Sequence, residues 1–242
     1  IASIVTLLAV TCLALGILSF VNSSSALQEQ VETNLVWKAE DVSHYMEEVF
    51  KRLFGEVESI ADQAVVQEMN LEQQFTYLNE QLAERTDYLA FGIIDEKGIS
   101  HYSDGTTADL SDRDYVIDAF NGETAMSDIL ISRVTNEPVL MIATPIDTTT
   151  GEKALLLARM DGYVLSDVVK DIQVGKTGYA LIVNEDGTIQ GHANRDYVKN
   201  EMNFITHSQD TDEMKGEAAA IQEIISDDVG FFEFENTENA RQ

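Results

Sequence analysis

The tetrapeptide Arg-Asp-Tyr-Val occurs twice in this 242-residue chain, at Arg113–Val116 and at Arg195–Val198. Each copy sets a guanidinium two residues from a phenol, Arg113 with Tyr115 and Arg195 with Tyr197. A guanidinium presents a planar fork of donors that suits a carboxylate or another pair of acceptors. A tyrosine adds a flat apolar wall with one polar end. The same residue types also serve plain architecture: Arg113 can pair with Asp112 or Asp118, and Tyr115 can pack in a core.

Other chemistries find no support in the spacing. Gly175-Lys176-Thr177 resembles the end of a phosphate loop, but that motif needs glycine where Lys170 stands. The histidines, His44, His101, His192 and His207, are scattered, and none lies four residues from another. No zinc site is expected from them. The acidic stretch from Asp210 has Lys215 at the sixth position, where a calcium loop requires glycine. Carboxylates are so abundant that no particular pair points to hydrolysis. The sequence therefore predicts no catalytic constellation, no metal and no cofactor.

Lys plus Arg total 15 against 43 Asp plus Glu, a net charge of −28. Such a surface repels a phosphate backbone and carries no basic stripe, which excludes nucleic acid as a partner. The one cysteine, Cys12, lies inside an apolar run, so no disulfide framework is available.

The elements that must position Arg113 and Tyr115 are legible from periodicity. Ile1–Val21 is uncharged and apolar, and at about 1.5 Å per residue it spans roughly 30 Å, enough for a membrane helix. The segment after it holds Glu29 and Glu32 before its first cation, Lys38, which predicts that it lies outside the cytoplasm. The chain begins with Ile, which suggests a fragment of a longer protein. From Ala26 to about Asn70, Val31, Leu35, Val42, Met46, Val49, Leu53, Val57, Ile60 and Ala64 form one apolar stripe on a long helix. Glu47 with Lys51 and Glu48 with Arg52 are favourable pairs on its wet face. The stripe of this rod is also suited to pairing with a second copy of the chain. A shorter helix carries Leu71, Phe75, Leu78 and Leu82 in phase.

Two segments then read as strand, turn, strand, with Glu96-Lys97-Gly98 and Glu185-Asp186-Gly187 as the turns. Between them lie a short helix at the first Arg-Asp-Tyr-Val, strands over Ser127–Ser132, Glu137–Ile146 and Lys153–Met160, and a connecting helix from Asp161. A further helix and a strand over Val229–Glu235 follow the second hairpin. Hairpins with helices on one face predict an α+β antiparallel architecture.

The order of these pieces resembles the double Cache sensor domain, an extracytoplasmic part of methyl-accepting chemotaxis receptors, sensor histidine kinases and membrane-bound cyclic-di-GMP enzymes. The likeness rests on "DGTTADLSDRDYVIDAFNGE", "SDILIS", "EPVLMIATPI" and "VGKTGYALIVNEDGTIQGHA". It implies a transmembrane helix over 1–22, a stalk and second helix over 23–84, and two tandem PAS-like modules. The membrane-distal, ligand-binding module would span 85–162 and a truncated membrane-proximal module 163–242. The resemblance also implies a site. Arg113 and Tyr115 match the family's arginine and aromatic before a helix, and Asp161 matches an aspartate that receives a ligand ammonium. Leu130 and Ser132 stand where the family has a Tyr-x-Asp pair, and Ala108 stands where it has a tyrosine, a place Tyr102 can fill from the neighbouring strand, so the implied ligand contacts are Arg113, Tyr115, Asp161, Ser132 and Tyr102. The implied function is a membrane-anchored, homodimeric receptor without enzymatic activity in this region. Its expected ligand is an amino acid, an organic acid or a nucleobase. Chemotaxis is the expected output, with a kinase or a diguanylate cyclase as the alternative. A membrane-anchored interaction domain that takes no small ligand is the other reading.

Overall fold

Two strands of this chain are buried on both faces, and the remaining elements arrange themselves around them. The computed structural model describes residues 2–174, 178–210 and 214–226, with side chains from residue 11 except those of 173, 174, 209 and 210. The first helix, α1 (Ala2–Ala61), runs without interruption, and α2 (Ala64–Gln67) and α3 (Leu71–Glu84) follow it. Strands β1 (Tyr88–Ile94), β2 (Ile99–Tyr102) and β3 (Thr107–Asp109) lead to the short helix α4 (Asp114–Phe120). Strands β4 (Ala125–Met126), β5 (Leu130–Ile131), β6 (Pro138–Ile146) and β7 (Ala154–Asp161) complete one antiparallel sheet of order β3-β2-β1-β7-β6-β4, with β5 also on β6.

Alternation along the central strands decides what each face holds. Phe91, Ile93, Leu140, Ile142, Leu156, Ala158 and Met160 pack against Leu53, Val57 and Ile60 of α1 and Leu78 of α3. Ile94, Val139, Met141, Ala143, Leu155 and Leu157 face the other way, against Tyr115, Val116 and Ala119 of α4. Each fully buried aliphatic side chain contributes roughly 1.5–3 kcal/mol. Covering both faces explains why β6 and β7 read as near-continuous apolar runs.

Helix α1 is tied to this sheet by polar contacts as well. The Tyr88 hydroxyl donates to Glu56 Oε2 at 3.0 Å, and Arg52 reaches Glu56 at 2.6 Å and Asp87 at 3.5 Å. Arg52 therefore leaves Glu48, its expected partner, for acceptors near the sheet. The helix also ends earlier than the stripe predicts, at Ala61. Val66 is fully buried, and the buried Gln74 donates from Nε2 to the Val66 carbonyl at 2.6 Å, which favours a broken chain over a continuous rod. Asn70 then caps α3, its Oδ1 accepting from the Gln73 amide.

The chain continues through α5 (Val164–Val169), β8 (Gln173–Val174), β9 (Gly178–Tyr179), β10 (Leu181–Val183), β11 (Ile189–His192), α6 (Arg195–Lys199), α7 (Phe204–Asp210) and α8 (Lys215–Ile224). The two predicted hairpins have matching turns. Asp95 and Asn184 each accept the amide four residues on through Oδ1, at Ile99 and Thr188. Gly98 and Gly187 hold φ of +81° and +86°, a region that favours glycine. The Gly175-Lys176-Thr177 turn and the strand over Val229–Glu235 lie outside the described residues. Ile1 and the side chains of residues 2–10 do so too, so the predicted membrane span is only partly described. Among the described residues, no helix is long and apolar enough to cross a membrane.

Two outcomes test the packing. A Cβ on Gly162 would sit 2.4 Å from the Pro138 carbonyl carbon, whereas one on Gly55 meets nothing within 4 Å. Gly162→Ala should destabilise the chain by on the order of 2–3 kcal/mol, and Gly55→Ala should stabilise it by about 0.5–1 kcal/mol. Urea unfolding measures both. His192 is buried between the rings of Tyr179 and Tyr197, and burial lowers its pKa below the usual value. A lowered value makes its contribution to stability complete above about pH 6.5 and lost as pH falls through the folded value. The drop in melting temperature between pH 7.5 and pH 5 should be smaller in His192→Phe than in the parent.

Candidate functional site

The sheet face under α4 changes character along β7. Leu155 and Leu157 continue the apolar row, but the next positions on that face are Arg159 and Asp161. Arg159 lies opposite Ala90 on β1 and Met141 on β6, neither of which offers a charged partner. Its guanidinium carbon stands 5.3 Å from the centre of the Tyr102 ring, and its Nε and Nη1 are buried without a hydrogen-bond partner. A cation over an aromatic face gains about 0.5–2 kcal/mol. Arg159 as a whole is only partly buried, and its charge helps to lower the pKa of the exposed Asp104 carboxyl, but burying Nε and Nη1 without acceptors still costs free energy.

Tyr102 and Tyr115 join the same cluster and are almost fully buried, 6% and 4% exposed. Burial raises the pKa of each phenol, and for Tyr115 the neighbouring Tyr102 adds to the rise. Both therefore remain protonated as donors. Gly92 makes room for Tyr102: a Cβ there would lie 3.1 Å from the ring. Thus Tyr102, placed by β2, and Tyr115, placed by α4, do meet.

Arg113 is the residue just before α4, with extended backbone. Asp112 is not its ion-pair partner, because Asp112 is held by Arg133 through two bonds of 2.7 Å, which lower the Asp112 carboxyl to about 2. Among the described residues Arg113 forms no ion pair, and its Nε is buried without an acceptor. It lines a cleft of about 450 Å³ together with Tyr115, Asp118, Leu130, Asn184 and Gln190. The cleft lies between α4, the β4–β5 segment and the second hairpin.

Ser132 and Asp161 stand elsewhere. The Ser132 hydroxyl oxygen accepts the amides of Val134 and Thr135, each at 3.2 Å, inside the turn between β5 and β6. Asp161, at the end of β7, is exposed, and its Oδ1 accepts the Tyr163 amide at 2.9 Å. It borders a different cavity of about 290 Å³, beside Tyr45, Met46 and Val49 of α1. The second copy of the repeat is engaged otherwise: Arg195 donates to Asp167 at 2.8 Å and lies 4.7 Å over the Tyr163 ring.

Two features escape a reading by motif. Arg159 follows three leucines and an alanine, so it reads as the end of a buried strand; the signal was a cation inside a run buried on both faces. The other is the seam to the second hairpin, where Gln190 Oε1 accepts the Ile129 amide at 2.6 Å and Asn184 donates to Asp128 at 2.8 Å. Among the described residues no group of three or more His, Cys, Asp or Glu is placed to hold a metal.

Comparison with known proteins agrees with this architecture. No curated protein matches the chain. Its fold is similar to the ligand-binding domain of the Pseudomonas fluorescens chemoreceptor CtaA, crystallised with L-isoleucine, with a TM-score of 0.59 at 18% identity over 72% of this chain and 74% of that one. The ligand-binding domain of the Pseudomonas aeruginosa amino acid chemoreceptor PctC, crystallised with GABA, gives 0.55 at 16% over 70% and 78%. The extracellular domain of a protein described as a histidine kinase gives 0.54 at 17% over 68% and 70%. The Cache domain family (dCache_1) matches residues 23–234. With its α+β architecture, its antiparallel sheet and its doubled hairpin, the chain belongs to the double Cache family of sensor domains.

Proposed function

We propose that this chain is the extracytoplasmic sensing region of a transmembrane chemoreceptor, which binds a small polar molecule between the sheet and α4. The observation that carries this reading is Arg113, a guanidinium with a buried, unpartnered Nε beside Tyr115, opening on a cleft of about 450 Å³. The cleft is strongly polar, lined also by Asp114, Asp118, Asp128, Asp186 and Glu201, so among the described residues Arg113 is its one cation beside several carboxylates. The ligands named in the chemoreceptor structures above, isoleucine and GABA, set the size range.

Anchoring is part of the proposal and rests on the apolar run Ile1–Val21. Leu27, Val31 and Trp37 are exposed on α1, which supports pairing of two copies along this helix. Transmission would use two routes. The β4–β5 segment lines the cleft and is bonded to Gln190 and Asn184 of the second hairpin. The opposite sheet face packs on α1, which leads back towards the apolar run. A ligand with different affinities for two arrangements of these parts shifts their populations by that difference. A kinase output remains the second reading, favoured by the likeness to the histidine kinase extracellular domain. Any catalytic activity would belong to a part of the receptor other than this region.

Calorimetric titration of the purified chain with amino acids, organic acids and nucleobases tests the proposal, and at least one compound should bind. Arg113→Met should weaken that compound at least about tenfold, the loss of a charge-assisted hydrogen bond. It should change stability by no more than about 0.5 kcal/mol, because no ion pair is lost. Undiminished affinity in Arg113→Met would contradict the assignment.

A further inference from the structure

Arg159 adds a requirement that the ligand must meet. It sits on the sheet face that carries Tyr102 and Tyr115, in the row begun by Leu155 and Leu157, where another aliphatic residue would complete the packing. Its Nε and Nη1 are buried without acceptors, and the Tyr102 ring offsets only part of that cost. Three carboxylates near the tyrosines have partners of their own, although Asp104 also feels the Arg159 charge. Asp104 accepts from the Thr106 amide and hydroxyl, Asp112 is paired with Arg133, and Asp161 accepts the Tyr163 amide. Arg113 repeats the pattern beyond the tyrosines, with its own buried, unpartnered Nε. Two guanidinium groups with buried, unpartnered nitrogens thus lie on the α4 side of the sheet beside two protonated phenols. Stability alone would not select this arrangement, whereas a binding site tolerates such a cost.

We propose that Arg159 is a ligand-binding residue, and that the ligand is a small organic acid with net negative charge rather than a zwitterionic amino acid. Asp161, the carboxylate expected to receive an ammonium, borders the cavity beside α1 and not the cleft of Arg113 and Tyr115. A carboxylate supplies the acceptors that Arg159 Nε and Nη1 lack. This inference rests on the sensing function proposed above and narrows its ligand class.

The test compares parent, Arg159→Met and Arg159→Lys chains at constant ionic strength. Acetate, malonate and succinate are titrated calorimetrically against alanine and isoleucine, and the melting temperature is measured without any of them. At least one acid should bind the parent more tightly than either amino acid, and Arg159→Met should weaken it at least about thirtyfold. Without added compound, Arg159→Met should melt no lower than the parent, because two buried donor nitrogens without acceptors have been removed. Arg159→Lys keeps the charge without the fork and should bind the acid less well than the parent; it carries the binding comparison if Arg159→Met does not fold. Amino acids binding the parent in preference to the acids, or acids binding equally well to the variants, overturns this inference and leaves the sensing function standing. A lower melting temperature in Arg159→Met with affinity retained makes Arg159 a packing residue and also overturns it. If no compound of either class binds the parent, the sensing proposal fails as well.

Discussion

The structure depends on burying both faces of β6 and β7 at once. An antiparallel sheet with one wet face would need only α1. Here the second face is apolar as well, so it must be covered by α4 and by the segments around Leu110 and Leu130. That second layer is thin, a helix of seven residues and short strands, and it is where the apolar row gives way to Arg159. Structural and chemical demands therefore separate by face: α1 and α3 stabilise the sheet from one side, and the polar cluster occupies the other.

The same division links site to signal. Met160 and Arg159 are neighbours on one strand with opposite directions, the first packed with the α1 side and the second under α4. A strand cannot move one residue without carrying the next. The β4–β5 segment plays a comparable part at the seam, because the Ile129 side chain belongs to the large core while its amide donates to Gln190. Gly162 fixes the exit of β7 against Pro138, with no room for a side chain between the two backbones. These are tight, discrete contacts, and they suit a region that passes on a change in arrangement rather than absorbing it.

Much of this was legible in the sequence, for a physical reason in each case. The hairpin turns were readable because glycine and an acidic or amide side chain meet specific backbone needs, and the two copies share those bonds to the same atoms. The long helix was readable from its stripe. Its end was not, because a buried glutamine eight residues beyond Val66 decides where the helix breaks, and periodicity is blind to such a contact. Strands β3 and β4 were missed because they have three and two residues, too few to show alternation. At the site, Arg113 and Tyr115 stood out through their repeated motif. Arg159 did not, because a single cation in an apolar run carries no spacing; only the strand register reveals that it shares a face with the tyrosines. The Ser132 hydroxyl looked available as a contact, yet the local turn already uses its oxygen twice.

The most direct test of the account is a crystal structure of the chain with the tightest-binding compound from the titrations. The account predicts that compound on the α4 side of the sheet, with oxygen atoms within hydrogen-bond distance of Arg113 and Arg159 and in contact with Tyr102 and Tyr115. A compound bound against α1 beside Asp161, or within the second hairpin with both guanidinium groups left as they are, would contradict it.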